Sequence, residues 1–188
     1  HCDVACVHVF IATSDLHLER KLKLSRQEAL EKAVQAVSYA KDHGLVVEFS
    51  AEDATRSDSE YLGKVLRSVC DAGADRINIP DTVGVASPQR IQQIVDSVKR
   101  VAHRPISVHC HDDFGLAVAN SLAGIEAGAA QAHVTVNGIG ERAGNASLEE
   151  LVMALHQLAG TKTGIDTKLL YETSRLVTKI TGVVLQPN

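Results

Sequence analysis

The sequence predicts an α/β fold of the (β/α)8 TIM-barrel type, present incompletely as about five consecutive βα units. Three observations predict it. Short apolar runs alternate with longer amphipathic stretches, and the runs start about 26 to 40 residues apart, the spacing of parallel βα units. Four successive runs carry one apolar face and one polar, ionisable face. No G-x-G-x-x-G follows the first run, so the Gly-rich turn of a doubly wound dinucleotide fold is missing.

The runs that read as strands are residues 5–12, 45–50, 76–80, 106–110 and 133–136, each bounded by Gly, Pro or Asp. Side chains alternate across a strand. Glu48, Ser50 and Glu52 therefore share one face, with Val47 and Phe49 on the other. In the same way Asn78 and Thr82 oppose Ile77 and Ile79, while Ser107, His109 and His111 oppose Ile106, Val108 and Cys110. Thr135 and Asn137 are expected to oppose Val134 and Val136. A sheet covered by helices on both sides would be apolar on both faces. A barrel packs the apolar faces on an outer ring of helices and gathers the polar faces inside, near the carboxyl ends where barrel active sites lie.

The helices between the runs carry their own start and stop signals. Ser25-x-x-Glu28 is a capping box, followed on one face by Ala29, Leu30, Ala33, Val34, Val37 and Ala40, and Gly44 ends the helix in the left-handed conformation. Ser57-x-x-Glu60 opens a second helix through Leu62, Val65, Leu66 and Val69, stopping near Gly73. Ser87-Pro88 is an N-cap with proline in the first turn, and Ile91, Ile94, Val95 and Val98 follow before Pro105. Three more helices are expected at 116–127, from Ser147-x-x-Glu150 onward, and over 167–181.

The 188 residues have a formal net charge of −4, with 45% hydrophobic, 22% charged and 3% aromatic residues. That balance excludes a disordered chain and gives no basic footprint or stacking platform for nucleic acid. No apolar run reaches the ~18 residues of a membrane span, and no signal peptide is recognised. Cys2, Cys6, Cys70 and Cys110 read as reduced thiols, which points to the cytoplasm. One domain is expected over residues 1–188. A full barrel needs eight units and typically ~250 residues, so five units read as a fragment with open sheet edges.

His109-Cys110-His111 is the sharpest chemical signal. Histidines at i and i+2 on a strand point the same way, so both imidazoles can reach one divalent ion; the plainer reading is a hydrogen-bonded interior pair. The Asn137–Asn145 loop has three glycines and ends on Asn145, whose amide oxygen could reach a metal. The alternative there is a tight turn with Glu141 and Arg142 as a solvated ion pair. Glu52 reads as a base or hydrogen-bond acceptor near the site, and Glu48, deeper in its strand, as part of an interior network with Asn78 or Ser107. Thr82 could donate to a substrate carboxylate or only cap a turn. His8 faces inward beside Phe10, Cys110 reads as an inert core thiol, and His17, His43, His103 and His156 are given no role.

The segments at 8–14, 47–53, 78–84, 107–113 and 137–145, with the stretch from Leu170 to Asn188, resemble the catalytic barrel of the 2-isopropylmalate synthase family. Homocitrate synthase, citramalate synthase and hydroxymethylglutaryl-CoA lyase share that barrel and its His-x-His. The resemblance implies a Claisen-type condensation of acetyl-CoA with the 2-oxoacid 2-oxoisovalerate, in leucine biosynthesis, by a cytoplasmic homodimer. It implies His109, His111 and Asn145 as ligands of a divalent metal ion, manganese before magnesium or zinc. It implies that Ser50, Glu52 and Thr82 line the oxoacid pocket; Glu52 is expected to be the catalytic residue there, and His8, more often a structural donor in such a place, is expected to bind substrate with Ser50 and Thr82. The family's aspartate ligand, in an R-D-G-x-Q motif on the first barrel strand, has no counterpart here, so the fragment alone is expected to be inactive. Beside this stand an amidohydrolase-like metal hydrolase, which carries His-x-His on its first strand, and a non-catalytic barrel remnant.

Overall fold

A computed structural model describes residues 6–184. Ala5, Cys2 and the final 185–188 segment, on which parts of the sequence reading fall, lie outside the described residues. Five strands form one parallel sheet in the order β1-β2-β3-β4-β5: β1 (Cys6–Ala12), β2 (Val46–Glu52), β3 (Arg76–Asp81), β4 (Ile106–Cys110) and β5 (Gln131–His133). Sequential parallel order requires a crossover after every strand, and right-handed crossovers place all the connecting helices on one face.

The burial of alternate residues shows that face. Val47, Phe49, Ile77, Ile79, Val108 and Cys110 are wholly buried, packed with Val37, Val65, Leu66, Ile91 and Val95 of the helices. Each large side chain removed from water there contributes about 1.5–3 kcal/mol. The other face carries Glu48, Ser50, Asn78, Ser107 and His109, and it curls inward. His8 on one edge strand and His133 on the other have ring centroids 6.1 Å apart, whereas four flat strand spacings would put those strands roughly 19 Å apart. The sheet is thus an arc of a barrel wall with its polar face inside.

The helices follow their caps. α1 (Asp15–His17) is a single turn continued by a π-helical segment, Leu18–Leu22, in a region the sequence pattern left unassigned. α2 (Arg26–Asp42) opens on the reciprocal Ser25–Glu28 capping box. α3 (Ser59–Asp71) starts one residue later than expected, with Asp58 and not Ser57 as its N-cap. The Ser57 hydroxyl is engaged elsewhere, with Thr13 and the Asp53 carbonyl. α4 (Pro88–Val101) begins at Ser87-Pro88. α5 (Ala117–Glu126) begins where Asp112 accepts from the Ala117 N–H. α6 (Leu148–Gln157) is capped by Ser147, and α7 (Leu170–Thr181) follows a short turn at Thr167–Leu169.

The last strand departs from its expected position. β5 ends at His133, not Val136, and Thr135 pairs instead with Ser147. Asn137 then takes φ 63° inside a 3-10 turn, Val136–Gly138. Alternation therefore fails at Asn137. Its amide donates to the Ser174 carbonyl of α7 at 3.0 Å and does not line the interior with Thr135.

Candidate metal centre

β4 carries His109 and, one residue past its end, His111, with ring centroids 5.0 Å apart. The Gly-rich loop returns beside them because His111 and Asn145 form an antiparallel bridge, and the Asp112 N–H donates to the Gly144 carbonyl. The Asn145 amide nitrogen lies 3.2 Å from His109 Nε2. The three side chains singled out as ligands therefore meet at one place, at the carboxyl end of the sheet.

The ring contacts of the two histidines agree. His111 Nδ1 lies 3.2 Å from the Asp81 carbonyl, to which only an N–H can donate, so its Nε2 is the unprotonated nitrogen of the neutral ring. His109 is half-buried, and burial, with the neighbouring His111, His133 and His8, lowers its pKa to about 4 against the opposing charge of Glu48. It is a neutral imidazole at neutral pH, the form that binds metals.

Two imidazoles and an amide form the kind of N/O donor set that suits a divalent first-row cation. Among the described residues no three His, Cys, Asp or Glu side chains converge as a metal cluster, and the third donor here is an asparagine. The loop is shaped for that residue: a Cβ on Gly140 would run into the Asn145 side-chain oxygen, and one on Gly144 into the Gly138 carbonyl. The donor chemistry and this cradle fit a divalent ion.

Arg142 pins the loop. Its guanidinium donates to both carboxylate oxygens of Asp113, at 2.8 and 2.9 Å, and to the Thr82 carbonyl at 2.9 Å. Arg142 thus faces Asp113 more closely than Glu141, the partner expected from sequence. A cleft of about 560 Å³ lies against the loop, with Asp112, Gly140, Arg142, Asn145 and Glu149 in its wall.

The other predicted residues fall into two groups. Ser50 Oγ accepts from the Asn78 amide at 2.6 Å and meets His8 Nε2 at 2.5 Å, so His8 and Ser50 form one interior pair. Burial pushes His8 below the ordinary imidazole value, opposed by Glu48 and reinforced by His133. Thr82 Oγ1 accepts from the Asp53 N–H at 2.8 Å, which leaves its own hydroxyl hydrogen free to donate. Glu52 is at the end of β2, where its carboxylate takes Lys21 at 2.5 Å and His17 Nδ1 at 3.1 Å. His17, given no role from sequence, is thereby tied to Glu52; its position depends on the α1 turn that the pattern did not reveal.

His133 is the second residue that sequence reasoning passed over. Its Nε2 lies 3.0 Å from Glu48 and its Nδ1 3.4 Å from His109 Nδ1. Glu48 is held by that histidine, by Ser107 and by Arg76. Burial raises its pKa, but these contacts outweigh burial and hold it at about 2. The available signal was the inward parity that His133 shares with Thr135. Cys110 is fully buried on the helix side, and burial pushes its thiol up to about 12.

A curled parallel α/β sheet with His-x-His and a returning asparagine at its carboxyl edge defines a barrel-type enzyme scaffold with a candidate divalent-metal centre. The chain belongs to the HMGL-like family, whose profile matches residues 1–177. It is 63% identical over 187 residues to a protein of Ignicoccus hospitalis named probable 2-isopropylmalate synthase, covering 99% of this chain and 47% of that protein. It is 54% identical over 187 residues to a homocitrate synthase of Methanopyrus kandleri, covering 100% of this chain and 47% of that one. The crystal structure of hydroxymethylglutaryl-CoA lyase from Pseudomonas aeruginosa superposes with a TM-score of 0.85 at 24% identity, over 96% of this chain and 64% of that structure. That likeness establishes the fold. The chain spans about half the length of these curated relatives.

Proposed function

We propose that this chain supplies much of the catalytic barrel of a 2-isopropylmalate synthase, an acyltransferase that condenses acetyl-CoA with 2-oxoisovalerate. The observation that carries the reading is the convergence of His109, His111 and Asn145 beneath a glycine-cradled loop. The 63% identity to a relative of that name supports the substrate choice. Homocitrate synthase chemistry, with 2-oxoglutarate, is the second reading, supported by a relative at 54%.

In this proposal His109 Nε2, His111 Nε2 and the Asn145 amide oxygen hold a divalent ion, manganese first. When bound, such an ion supplies Lewis-acid polarisation of a chelated carbonyl. The chain's own groups do the remaining work. Thr82 donates its free hydroxyl hydrogen to the oxoacid carboxylate, and the His8–Ser50 pair forms the polar floor beside it. Glu52 takes the proton from the acetyl methyl group, with His17 and Lys21 fixing its carboxylate. Arg142 holds the loop closed, restricting water while the carbon–carbon bond forms. Water then cleaves the thioester and releases free CoA. The same reading makes the protein cytoplasmic and the enzyme a homodimer. Among the described residues no helix is long and apolar enough to cross a membrane.

The test is release of CoA thiol by the enzyme carrying this chain, given acetyl-CoA and either 2-oxoisovalerate, 2-oxoglutarate or pyruvate. Preference for 2-oxoisovalerate, abolished by His111→Ala, is expected. A preference for 2-oxoglutarate assigns the homocitrate reaction instead, and thiol release unaffected by His111→Ala removes the metal centre from the mechanism.

A further inference from the structure

Four polar side chains from three strands and a loop make one chain of contacts across the inside of the arc: Glu48 on β2, His133 on β5, His109 on β4 and Asn145. Glu48 and His133 are 85 residues apart in sequence, and β3 and β4 lie between their strands, so only the curl of the sheet lets them meet. We infer that His133 and Glu48 are positioning residues that fix the tautomer of His109, keeping its proton on Nδ1 and its Nε2 lone pair turned toward Asn145.

The donor count fixes the direction of every bond. Glu48 is a carboxylate and can only accept, so His133 donates from Nε2 across 3.0 Å. The Asn145 amide N–H, 3.2 Å from His109 Nε2, donates to it, so the proton of His109 is on Nδ1 and is donated to His133 Nδ1, 3.4 Å away. Reversing any one bond would leave two donors or two acceptors facing each other.

Arg76 lies 3.6 Å from the second oxygen of Glu48, and the rings of His8 and His109 flank His133 at 6.1 and 5.5 Å. His111 is fixed differently but to the same end, through the Asp81 carbonyl. One ring is thus set by a backbone oxygen and the other by a carboxylate–imidazole relay, and in both the proton is held on Nδ1. Ligating histidines characteristically have the other ring nitrogen anchored in this way. The purpose of the relay rests on the proposed metal centre, whereas its bonds are present in the metal-free protein.

The test therefore begins without metal. Long-range proton–nitrogen correlation spectra of the 15N-labelled protein should show His109 protonated at Nδ1 and bare at Nε2, with His133 protonated at Nε2. In His133→Phe the His109 pattern should shift toward the other tautomer, and Mn2+ binding, read by the loss of free-ion electron paramagnetic resonance signal, should weaken about 10- to 100-fold. Glu48→Gln, whose amide oxygen can still accept from His133, should retain the wild-type tautomer, whereas Glu48→Ala should not. A wild-type His109 carrying its proton on Nε2 overturns the relay, whatever the variants do. So does a folded His133→Phe protein whose His109 spectrum and Mn2+ affinity match wild type. The expected tautomers without any Mn2+ binding would leave the relay standing and remove the proposed function instead.

Discussion

Gly140 stands where any side chain would run into the amide oxygen of Asn145. Its φ is not in the left-handed region, so an alanine there meets no backbone penalty, only the asparagine. Gly140→Ala should therefore displace the Asn145 amide from His109 while leaving the fold intact. Mn2+ affinity measured by titration is expected to fall at least about 10-fold with little change in melting temperature, the loss typical of a disturbed ligand shell. Unchanged affinity would show that Asn145 is no ligand.

Arg142 joins the loop to two other elements, through Asp113 beyond β4 and the Thr82 carbonyl beyond β3. The pair is substantially exposed, so its removal should cost only ~1 kcal/mol or less in global stability. Its local effect should be larger. Arg142→Ala is expected to raise amide exchange across 138–144 selectively, read by hydrogen exchange, and to lower turnover more than it lowers the melting temperature. Uniform exchange changes over the whole chain would contradict a local clamp.

Helix α5 reaches the sheet through a glycine. A Cβ on Gly124 would lie 2.7 and 3.1 Å from the two methyl carbons of Val108, a wholly buried residue of β4. Gly124→Ala should destabilise by about 1–3 kcal/mol in denaturant unfolding, the usual cost of overpacking. Val108→Ala opens the space that the added methyl needs. The double variant should then be more stable than the sum of the single losses, a coupling that distant sites do not show.

Much of this architecture was legible because it depends on short-range rules. The alternation of Val47 and Phe49 with Glu48 and Ser50 showed which side faces the helices, and Ser25, Ser87 and Ser147 marked helix starts by a hydroxyl that accepts from the first turn. His109 and His111 were visible as a pair for the same local reason. What stayed hidden depends on curvature or on competition for a side chain. Nothing near His133 announces Glu48, because the contact exists only once β2 and β5 face each other across the arc. The reassignment of the N-cap from Ser57 to Asp58 follows from the engagement of the Ser57 hydroxyl with Thr13, 44 residues away. β5 starts at Gln131, ahead of the run 133–136 expected from alternation, since the Ile106 carbonyl takes the Ala130 N–H and draws the chain into the sheet early. His17 reaches Glu52 from the single α1 turn, Asp15–His17, which no apolar period marks.

Asp75 gives the fold a measurable acid dependence well away from the metal centre. Its Oδ2 accepts from the Val47 N–H at 2.7 Å and from Lys41 Nζ at 2.8 Å, and Lys41 also donates to the Leu45 carbonyl, so the end of α2, the start of β2 and the turn before β3 are tied at one carboxylate. Burial raises the pKa of Asp75, but the bonds from Lys41 and Val47 and the charges of Lys41 and Arg104 outweigh it, leaving the pKa below the ordinary value. A depressed folded-state pKa means that the stabilisation is fully present above the unfolded-state value of about 4 and is lost as pH falls through the folded value. With the side chain 38% exposed, solvent screening keeps the ion-pair share to about 0.2–1 kcal/mol. Asp75→Asn should remove that share at pH 7 and match wild type more closely as the pH approaches 3, so the two curves of unfolding free energy against pH converge in acid. A constant gap between them from pH 7 to pH 3 would show that the carboxylate's charge does nothing there and that the loss is one of hydrogen-bond geometry alone.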